Sequence, residues 1–227
     1  MDQLISLKKN IRSLNGRKPY QFQQELIPAW FEKASVLILF WEELQSLKIV
    51  LTRRSASLEK HKGEVCFPGG KVDRGETFVQ AALREAEEEI GLDSSKVEII
   101  GRLDDTWSGA SYHLVPVVGW YRGVPEFFKN DREVEDIIIF DLLELLQESE
   151  HKTESIKIGE AFYTVSTIKS LAGTVFGLSA DLLLEVMEYS TGKFSSRGAK
   201  REEELKTALK TGFFAVVSGH DLPDSCK

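Results

Sequence analysis

The chain has little cysteine, and this scarcity excludes two classes of protein. Its 227 residues include only two cysteines, Cys66 and Cys226, which lie far apart in the sequence. Small disulfide-stabilised domains need several cysteines, and structural zinc sites need closely spaced pairs such as C-x-x-C. We therefore expect neither a disulfide framework nor a zinc site, and we expect Cys66 to be a small core residue.

Long hydrophobic runs are also missing. The longest run, Val36 to Trp41, is far shorter than the roughly 20 apolar residues that a membrane-spanning helix needs. The polar start Met1-Asp2-Gln3 has no hydrophobic signal region, and the final Asp224 to Lys227 differs from peroxisomal signals of the S-K-L type. We therefore expect a cytoplasmic protein, from a bacterium, that has no contact with a membrane.

An excess of positive charge is lacking as well, because the formal net charge is -7. A broad surface for nucleic acid or for anionic lipid would require clustered Lys and Arg residues. The content of 42% hydrophobic and 29% charged residues is ordinary for a globular protein. These values favour one well-packed domain with an extension, and a small molecule as its partner.

A helix is predicted directly after the turn-prone segment 73–75. Thr77 and Gln80 have the spacing of a capping box, which starts a helix, and Gly91 supplies a helix stop. At 100° per residue from the first helical position, the apolar side chains fall between about 0° and 140°. This predicted buried stripe consists of Phe78, Val79, Ala82, Leu83, Ala86 and Ile90.

The glutamates of this helix are placed unusually. Glu85, Glu88 and Glu89 fall at about 340°, 280° and 20°, beside the apolar stripe, and only Glu87, at about 180°, lies where a solvated glutamate would. Like charges at these spacings repel, and a core beside them adds a desolvation cost, so a cation should compensate. Arg84 can neutralise one carboxylate, and Mg2+ or Mn2+, which prefer oxygen ligands, would suit the others. An ordinary solvated helix surface is the alternative, and this geometry argues against it.

The stretch from Gly70 to Leu92 has the spacing G-x5-E-x7-R-E-U-x-E-E-x-G-U, where U is an apolar residue. This spacing resembles the Nudix box. The resemblance implies an α/β protein with the Nudix fold, an α/β/α sandwich with a mixed β-sheet, and metal-dependent hydrolysis of a nucleoside diphosphate linked to another moiety. It further implies that Glu85, Glu88 and Glu89 are catalytic metal ligands together with the backbone carbonyl of Gly69, and that Glu76, Arg84 and Gly91 are structural, with Glu76 braced against Arg84.

A narrower resemblance lies just upstream. Leu51-Thr52-Arg53-Arg54-Ser55, then Gly63, then Phe67-Pro68-Gly69-Gly70 is similar to the signature of the coenzyme A diphosphatase branch, L-L-T-x-R-S-x3-R-x3-G-x3-F-P-G-G. Val50 stands where the first leucine would be, and Glu59 stands where the second arginine would be, which reverses a charge. The resemblance implies that the substrate phosphates are held by Arg54, Lys60, Lys62 and Gly70.

Other readings of these upstream residues stay open. Arg53 and Arg54 could be a solvated pair at a strand end, and His61 could be a surface histidine. The segment 67–70 could be a plain tight turn, although paired glycines permit the close backbone approach that a metal or a phosphate requires.

Two later loops could complete the site. Glu133, in a segment that resembles one of the same branch, is a candidate metal ligand or water-activating base, and an exposed charged run is the alternative. Either Glu89 or Glu133 could take the proton from water. Trp107 or Tyr112 could stack on adenine, but packing within a hairpin loop would explain them equally well.

The remaining patterns predict the elements around the site. Strands are predicted at 34–41, 47–52, 64–67, 97–103, 113–121 and 134–140, and helices at 141–148, 176–189 and 200–210. The segment 176–180 resembles one near the end of coenzyme A diphosphatases, and Ser179 is a candidate helix cap. Apolar residues at helical spacing in 4–14 predict an opening amphipathic helix that packs on the domain or on a second subunit, so a homodimer stays open.

We accordingly expect an N-terminal helical extension (1–33), a Nudix hydrolase domain (34–190) and a C-terminal tail with a helix (191–227). The expected function is metal-dependent hydrolysis of coenzyme A or its thioesters to 3',5'-ADP and 4'-phosphopantetheine. One alternative keeps the chemistry but takes NADH, ADP-ribose or a dinucleoside polyphosphate as substrate. The other is a non-catalytic Nudix-fold ligand sensor, which would be expected to have lost box glutamates that this chain retains.

Overall fold

The structure is a computed structural model that describes residues 2–56, 62–158, 161–211 and 213–214. The α-helices are α1 (Asp2–Arg12), α2 (Phe78–Ile90), α3 (Leu142–Glu148), α4 (Gly177–Ser190) and α5 (Gly198–Lys210). The larger sheet contains β1 (Glu32–Glu43), β2 (Ser46–Arg54), β3 (Val65–Cys66), β4 (Gly69–Lys71), β5 (Val97–Arg102), β6 (Thr106–Ser108), β7 (Tyr112–Tyr121) and β8 (Val134–Asp141). A smaller sheet contains β9 (Glu150–Ile158), β10 (Ala161–Ser170) and β11 (Gly173–Phe176).

The larger sheet is mixed, and two of its strands share one edge of β1. This strand runs parallel to β7, while its other edge is shared by two antiparallel neighbours. Its first half pairs with β4, where Val36 lies opposite Gly69, and its second half pairs with β2, where Phe40 lies opposite Ile49. The short strands β3 and β4 thus enter where β1 and β2 separate, and the Phe67–Gly70 segment lies in that opening.

Helices cover both faces of the larger sheet. Because successive side chains of a strand point to opposite faces, Leu37 and Leu39 of β1 pack toward α2, and Ile38 and Phe40 pack toward α1, α3 and α4. Burial on both faces explains why the β1 sequence is a nearly continuous apolar run. The predicted α/β/α sandwich with a mixed sheet is confirmed.

The opening helix α1 is part of this core. Leu7, Ile11 and Leu14 of the N-terminal region are buried in the same apolar cluster as α4, which favours packing on the domain.

The start of α4 differs from the expectation: Phe176 is the N-cap, without a side-chain cap, so the prediction that Ser179 caps this helix is wrong. None of the helices in the described ranges has the length and the apolar content to cross a membrane.

A buried carboxylate joins the segment after α1 to the start of α5. Asp104, which follows β5, is completely inaccessible to solvent. Its two oxygens accept hydrogen bonds from Arg17 Nη2, Tyr20 N, Ser196 Oγ, Arg197 N and Gly198 N. Since two of these donors are backbone N–H groups at the start of α5, Asp104 fixes that helix and the segment after α1 to the same point of the sheet.

The β1–β2 turn offers a stability prediction. Leu44 and Gln45 form this two-residue turn with φ of 50° and 62°, a left-handed conformation that suits glycine far better than other residues. Gln45 is exposed, so Gln45→Gly removes no buried contact and should raise the free energy of unfolding by about 1 kcal/mol. Thermal denaturation should then show a midpoint roughly 2–4 °C higher.

Gln147→Gly is the matched control for this change. Gln147 is also exposed but lies in the last turn of α3, where glycine costs up to about 1 kcal/mol because it loses more backbone freedom. The two variants should therefore shift the midpoint in opposite directions. A destabilised Gln45→Gly variant would contradict the prediction.

Candidate active site

Helix α2 is fixed at both ends. Thr77 Oγ1 accepts a hydrogen bond from Gln80 N (3.2 Å) and Gln80 Oε1 accepts one from Thr77 N (2.8 Å), so the predicted capping box is confirmed. The helix ends at Gly91, whose φ is 64°. A Cβ added there would lie 3.0 Å from the Cβ and carbonyl oxygen of Phe128, so glycine also lets the loop before β8 pass close to the helix end.

The glycines of β4 lie directly beneath the helix carboxylates. A Cβ on Gly70 would come within 2.4 Å of the Glu85 carboxyl group. The backbone N–H of Gly69 donates to Glu89 Oε2 over 3.1 Å. Gly69 and Gly70 thus belong to a strand that contacts two of the three predicted ligands, and only a residue without a side chain fits beside Glu85.

Two of the three carboxylates are buried to an unusual degree for glutamate. The relative exposure is 4% for Glu89, and the side chains of Glu85 and Glu88 are 16% and 55% exposed. Burial raises the pKa of Glu89 to about 8 against the opposing effects of the Gly69 N–H and Arg54, and the charges of Glu85 and Glu133 raise it further. Burial likewise raises the pKa of Glu85. Burial therefore disfavours the charged form of these two carboxyl groups, and a cation placed beside them would favour it.

Arg84 connects the helix to the loop after β4. Its Nε donates to Glu76 Oε1 (2.8 Å), and its Nη1 donates to Glu85 Oε1 (2.9 Å) and Glu88 Oε2 (3.2 Å). Nη2 donates to the carbonyl oxygen of Lys71 (2.9 Å). Hydrogen bonds from Arg84 and from the Asp73 N–H lower the pKa of Glu76. Arg84 therefore contacts two of the predicted ligands, where the sequence suggested one.

Arg54 and Glu133 face the same carboxylates from β2 and from the start of β8. Arg54 is close enough to Glu89 to lower its pKa, and Glu133 is close enough to Glu85 and Glu89 to raise theirs. Glu133 is held between two segments, since its N–H donates to the carbonyl of Asn130 and its carbonyl accepts from the Ser55 N–H. The Nε of Arg54 is buried and has no hydrogen-bond partner in the described part of the chain.

Of the other predicted phosphate ligands, the structure describes Lys62 and Gly70 but not Lys60. Lys62 is exposed and precedes Gly63, whose N–H donates to the carbonyl of Arg54 over 3.0 Å. Glu59, Lys60 and His61 lie outside the described residues. The structure therefore places Arg54 beside the box carboxylates. Lys62 lies near the end of the loop between β2 and β3.

Three nearby features were not predicted from the sequence. Cys66 is not merely a core residue: its thiol lies beside Glu89 and Thr52, and burial raises its pKa to about 11. Arg53 Nη1 donates to the carbonyl of Gly63 over 3.2 Å. A Cβ added to Gly173, in the β10–β11 hairpin, would lie 4.0 Å from Arg53 Nη2. Gly173 has a positive φ of 148°, which is a property of the folded chain. The sequence alone gives no indication that Arg53 lies beside it.

Trp107 packs inside the protein. Its Nε1 donates to the carbonyl of Arg201 (3.0 Å), and its ring contacts Tyr163, Phe213 and Phe214 at 5.4–6.4 Å between centroids. These contacts favour the packing alternative for Trp107 over stacking on adenine. Tyr112 lies elsewhere, with the Lys71 ammonium 5.9 Å from its ring centroid.

The carboxylates fit a divalent cation chemically, although they are not already gathered around one point. In the described residues, no three His, Cys, Asp or Glu side chains converge as a metal cluster, and Arg84 Nη1 takes one oxygen each of Glu85 and Glu88. Each of Glu85, Glu88 and Glu89 nevertheless keeps one oxygen without a hydrogen-bond partner in those ranges. Carboxylate oxygens that lack other partners, on one face of one helix, are a donor set that Mg2+ or Mn2+ can occupy.

Curated relatives of the chain are Nudix hydrolases. An uncharacterised Nudix hydrolase NudL from Yersinia pestis (strain Pestoides F) is 39% identical over 109 residues, which are 48% of this chain and 55% of that protein. The NudL of Yersinia pseudotuberculosis serotype O:1b (strain IP 31758) gives the same values. The chain thus spans about half the length of the curated relatives it matches.

Solved structures of low sequence identity are also similar. A MutT/nudix family protein from Enterococcus faecalis is 14% identical, with a TM-score of 0.48 over 94% of this chain and 89% of that one. The Ap4A hydrolase of C. elegans is 20% identical, with a TM-score of 0.43 over 48% of this chain and 80% of that one. Finally, the model of the NUDIX domain family matches residues 31–162, more than half of the chain. The protein therefore belongs to the Nudix domain family.

Proposed function

We propose that this Nudix protein hydrolyses the diphosphate bond of coenzyme A or its thioesters, giving 3',5'-ADP and 4'-phosphopantetheine. The observation that carries the proposal is the position of Arg54. This residue belongs to the segment that resembles the coenzyme A diphosphatase signature, and it lies beside Glu89 with a buried Nε that has no partner in the described ranges. A guanidinium with an unused Nε–H donor next to the proposed metal-binding carboxylates is suited to a phosphate oxygen.

We assign a divalent cation to Glu85, Glu88 and Glu89, with the carbonyl of Gly69 as a further ligand. When bound, Mg2+ or Mn2+ would neutralise charge on the phosphoryl oxygens and make water a better nucleophile near neutral pH. Glu85 and Glu89 are the ligands that the fold fixes most firmly, since both are largely buried against β4. Glu88 is the most accessible of the three, so its charge is the easiest to remove without disturbing packing.

The remaining residues bind the substrate and receive a proton. Arg54 would bind a phosphate oxygen through its guanidinium, and Lys62, at the rim of the same loop, would add positive charge, as would Lys60. Glu89 and Glu133 are the two candidates for accepting the proton of the attacking water at a carboxylate oxygen. Both lie close together, which the effect of Glu133 on the pKa of Glu89 supports.

Product analysis tests the proposal. The protein would be incubated with coenzyme A, NADH, ADP-ribose and diadenosine polyphosphates, with Mg2+, with Mn2+ or with a chelator, and the products identified by chromatography and mass spectrometry. We expect 3',5'-ADP from coenzyme A in the presence of metal and none with chelator.

The other outcomes are distinct. Preferential cleavage of ADP-ribose, NADH or a dinucleoside polyphosphate would retain the metal-dependent hydrolysis and overturn coenzyme A as the substrate. If no substrate were cleaved while ligand binding was detected by calorimetry, a ligand-sensing module would replace the enzyme.

A further inference from the structure

We propose that the outer edge of β8 pairs with the same edge of a second copy of this chain, so that the two larger sheets join across a two-fold axis at Ile138. Within the described ranges, β8 pairs with β2 alone, which covers one of its two edges. The other edge presents backbone N–H and C=O groups with which another strand can pair. This surface is independent of the proposed substrate.

Both ends of this outer edge are closed. At its start the register against β2 shifts, and Glu135 is the extra residue of a bulge. The carbonyl oxygen of Glu135 already accepts a hydrogen bond from Lys129 Nζ over 2.9 Å. At the other end, Asp141 is the N-cap of α3, where the chain leaves the strand. The stretch that can pair with a partner is therefore 136–140, and its middle residue is the proposed centre of symmetry.

The side chains of this stretch make its edge apolar. Ile139 is 44% exposed, although it lies opposite Val50, which is completely buried. Ile137 points to the same face and packs against the apolar cluster between the sheet and α2. This apolar layer therefore continues to the edge of the sheet and ends there in solvent. An exposed apolar strand edge favours pairing with another strand.

The sequence of the stretch, D-I-I-I-F, suits antiparallel pairing with itself about Ile138. In that register Ile137 of each copy lies opposite Ile139 of the other copy, on the face that carries α2. Both isoleucines would then be covered. The two Asp136 side chains would lie about 14 Å apart along the strands, where their repulsion is largely screened at physiological salt. The charges at the ends therefore do not oppose this register.

The strand β9 shows how an unpaired edge is protected in the same molecule. It lies at the edge of the smaller sheet, and its residues are almost all exposed. Charged side chains along an edge oppose pairing with another chain. The charged residues of β9 include Glu150, Lys152, Glu154 and Lys157. Because β8 has no charged residue between Asp136 and Asp141, we expect the second copy at β8 and not at β9.

The paired stretch is short, which limits the strength of the dimer. Five residues from each copy cover less surface than the roughly 800 Å² per partner of a typical stable interface. We therefore expect a concentration-dependent dimer with a Kd between about 1 and 100 μM.

Sedimentation velocity of the full chain at loading concentrations of about 1–500 μM measures this equilibrium. We expect the mass to rise from monomer to dimer. Ile139→Lys should raise the Kd at least about tenfold, because an ammonium group would face the apolar Ile137 of the other copy. Ile5→Lys is the matched control, since Ile5 is 58% exposed on α1, and it should leave the Kd unchanged. Thermal denaturation establishes beforehand which variants are folded.

Disulfide capture tests the register. Ile137→Cys protein mixed with Ile139→Cys protein under mild oxidation should form a cross-linked dimer, because the two positions lie directly opposite each other. Either variant alone should give no more cross-link than the unaltered protein, which carries Cys66 and Cys226. Identical positions of the two copies would lie diagonally, about 7–8 Å apart, which is too far for a disulfide.

Three results would overturn the inference. A monomer at every concentration of the unaltered protein would exclude pairing of the β8 edges. A dimer that Ile139→Lys leaves unchanged would place the interface elsewhere, and a dimer weakened by Ile5→Lys alone would place it on α1. If Ile139→Lys did not fold, a mixture of the two cysteine variants without cross-link above the background would overturn the inference in its place.

Discussion

Replacing Glu88 by glutamine is expected to lower kcat/KM for the preferred diphosphate substrate by about 100-fold or more while leaving the protein folded. The substitution removes one negative charge from the proposed cation site with almost no change in volume. A loss of 100-fold corresponds to about 2.7 kcal/mol of transition-state stabilisation, which is within the range that a metal ligand supplies. The measurement is steady-state kinetics over a range of Mg2+ or Mn2+ concentrations.

The structure explains why the fold should tolerate this change. The Glu88 side chain is 55% exposed, and Arg84 keeps its hydrogen bonds to Glu76, Glu85 and the carbonyl of Lys71 without it. Any loss of activity would therefore reflect lost charge at the site and not a displaced helix. An unchanged thermal midpoint is the accompanying expectation.

Glu87→Gln is the matched control for Glu88→Gln. Glu87 is the preceding residue of α2, it is exposed, and it makes its side-chain hydrogen bond to Ser94, away from Arg84. Both variants change the net charge by the same amount. Equal activities of the two variants would contradict the assignment of Glu88 to the cation site.

Replacing Asp104 by asparagine is expected to lower the free energy of unfolding by about 3–5 kcal/mol. The carboxylate is fully buried and accepts five hydrogen bonds, one of them from the charged Arg17. The amide keeps the volume of the side chain but leaves Arg17 without its buried charged partner. In addition, the NH2 group of the asparagine must face N–H or O–H donors that point at a carboxylate oxygen in the unaltered protein. For a chain of this size the thermal midpoint should fall by roughly 6–20 °C.

The stability supplied by Asp104 should also depend on pH in a defined direction. Burial alone would raise the pKa of this carboxyl, but hydrogen bonds from Ser196, the Tyr20 N–H and Arg17 outweigh burial and lower it. A lowered pKa in the folded state stabilises the protein above the ordinary carboxyl pKa of about 3.9, and this contribution is lost as pH falls through the folded-state value. Urea denaturation of the Asp104→Asn variant should therefore show a weaker loss of stability below about pH 4 than the unaltered protein.

Asp131→Asn serves as the control for this variant. Asp131 forms an ion pair with Lys129, but its side chain is 82% exposed, and such surface pairs contribute about 1 kcal/mol or less. Its substitution should leave the thermal midpoint nearly unchanged. The loss of stability at acid pH should also be nearly the same as in the unaltered protein. A similarly small effect of Asp104→Asn would mean that the segment after α1 and the start of α5 are held to the sheet mainly by apolar packing.

Helix α2 is the part of the site that local sequence specifies most fully. Thr77, Gln80 and Gly91 define the ends of the helix through contacts with near neighbours in the chain, and helical geometry then places three glutamates beside the buried stripe. The degree of burial was not evident from that geometry. Glu89 is nearly inaccessible and Glu88 is half-exposed because β4 lies under one end of the face and solvent borders the other.

The smaller sheet shows the opposite case. The β9 sequence, Glu150–Ile158, is almost entirely exposed and lacks the alternation of apolar and polar residues from which strands are predicted. It is a strand because β10 pairs with it along nearly its whole length, and β10 is held by the core through Ile168. Strand pairing of this kind depends on partners distant from the local pattern, as does the contact between Gly173 and Arg53.

The sequence by itself determined the box helix, the apolar strands of the larger sheet and the set of acidic and basic residues that we propose as the active site. These features follow from spacings within one helix or one strand, where the geometry of the backbone is known in advance. Only the tertiary structure decided that Arg54 and Glu133 face Glu89, that Asp104 joins the segment after α1 to the start of α5, and that Gly173 lies beside Arg53. Each of those contacts joins residues that are far apart in the sequence. Whether such residues are close in space depends on how the sheets and helices pack, and no local sequence pattern encodes that packing.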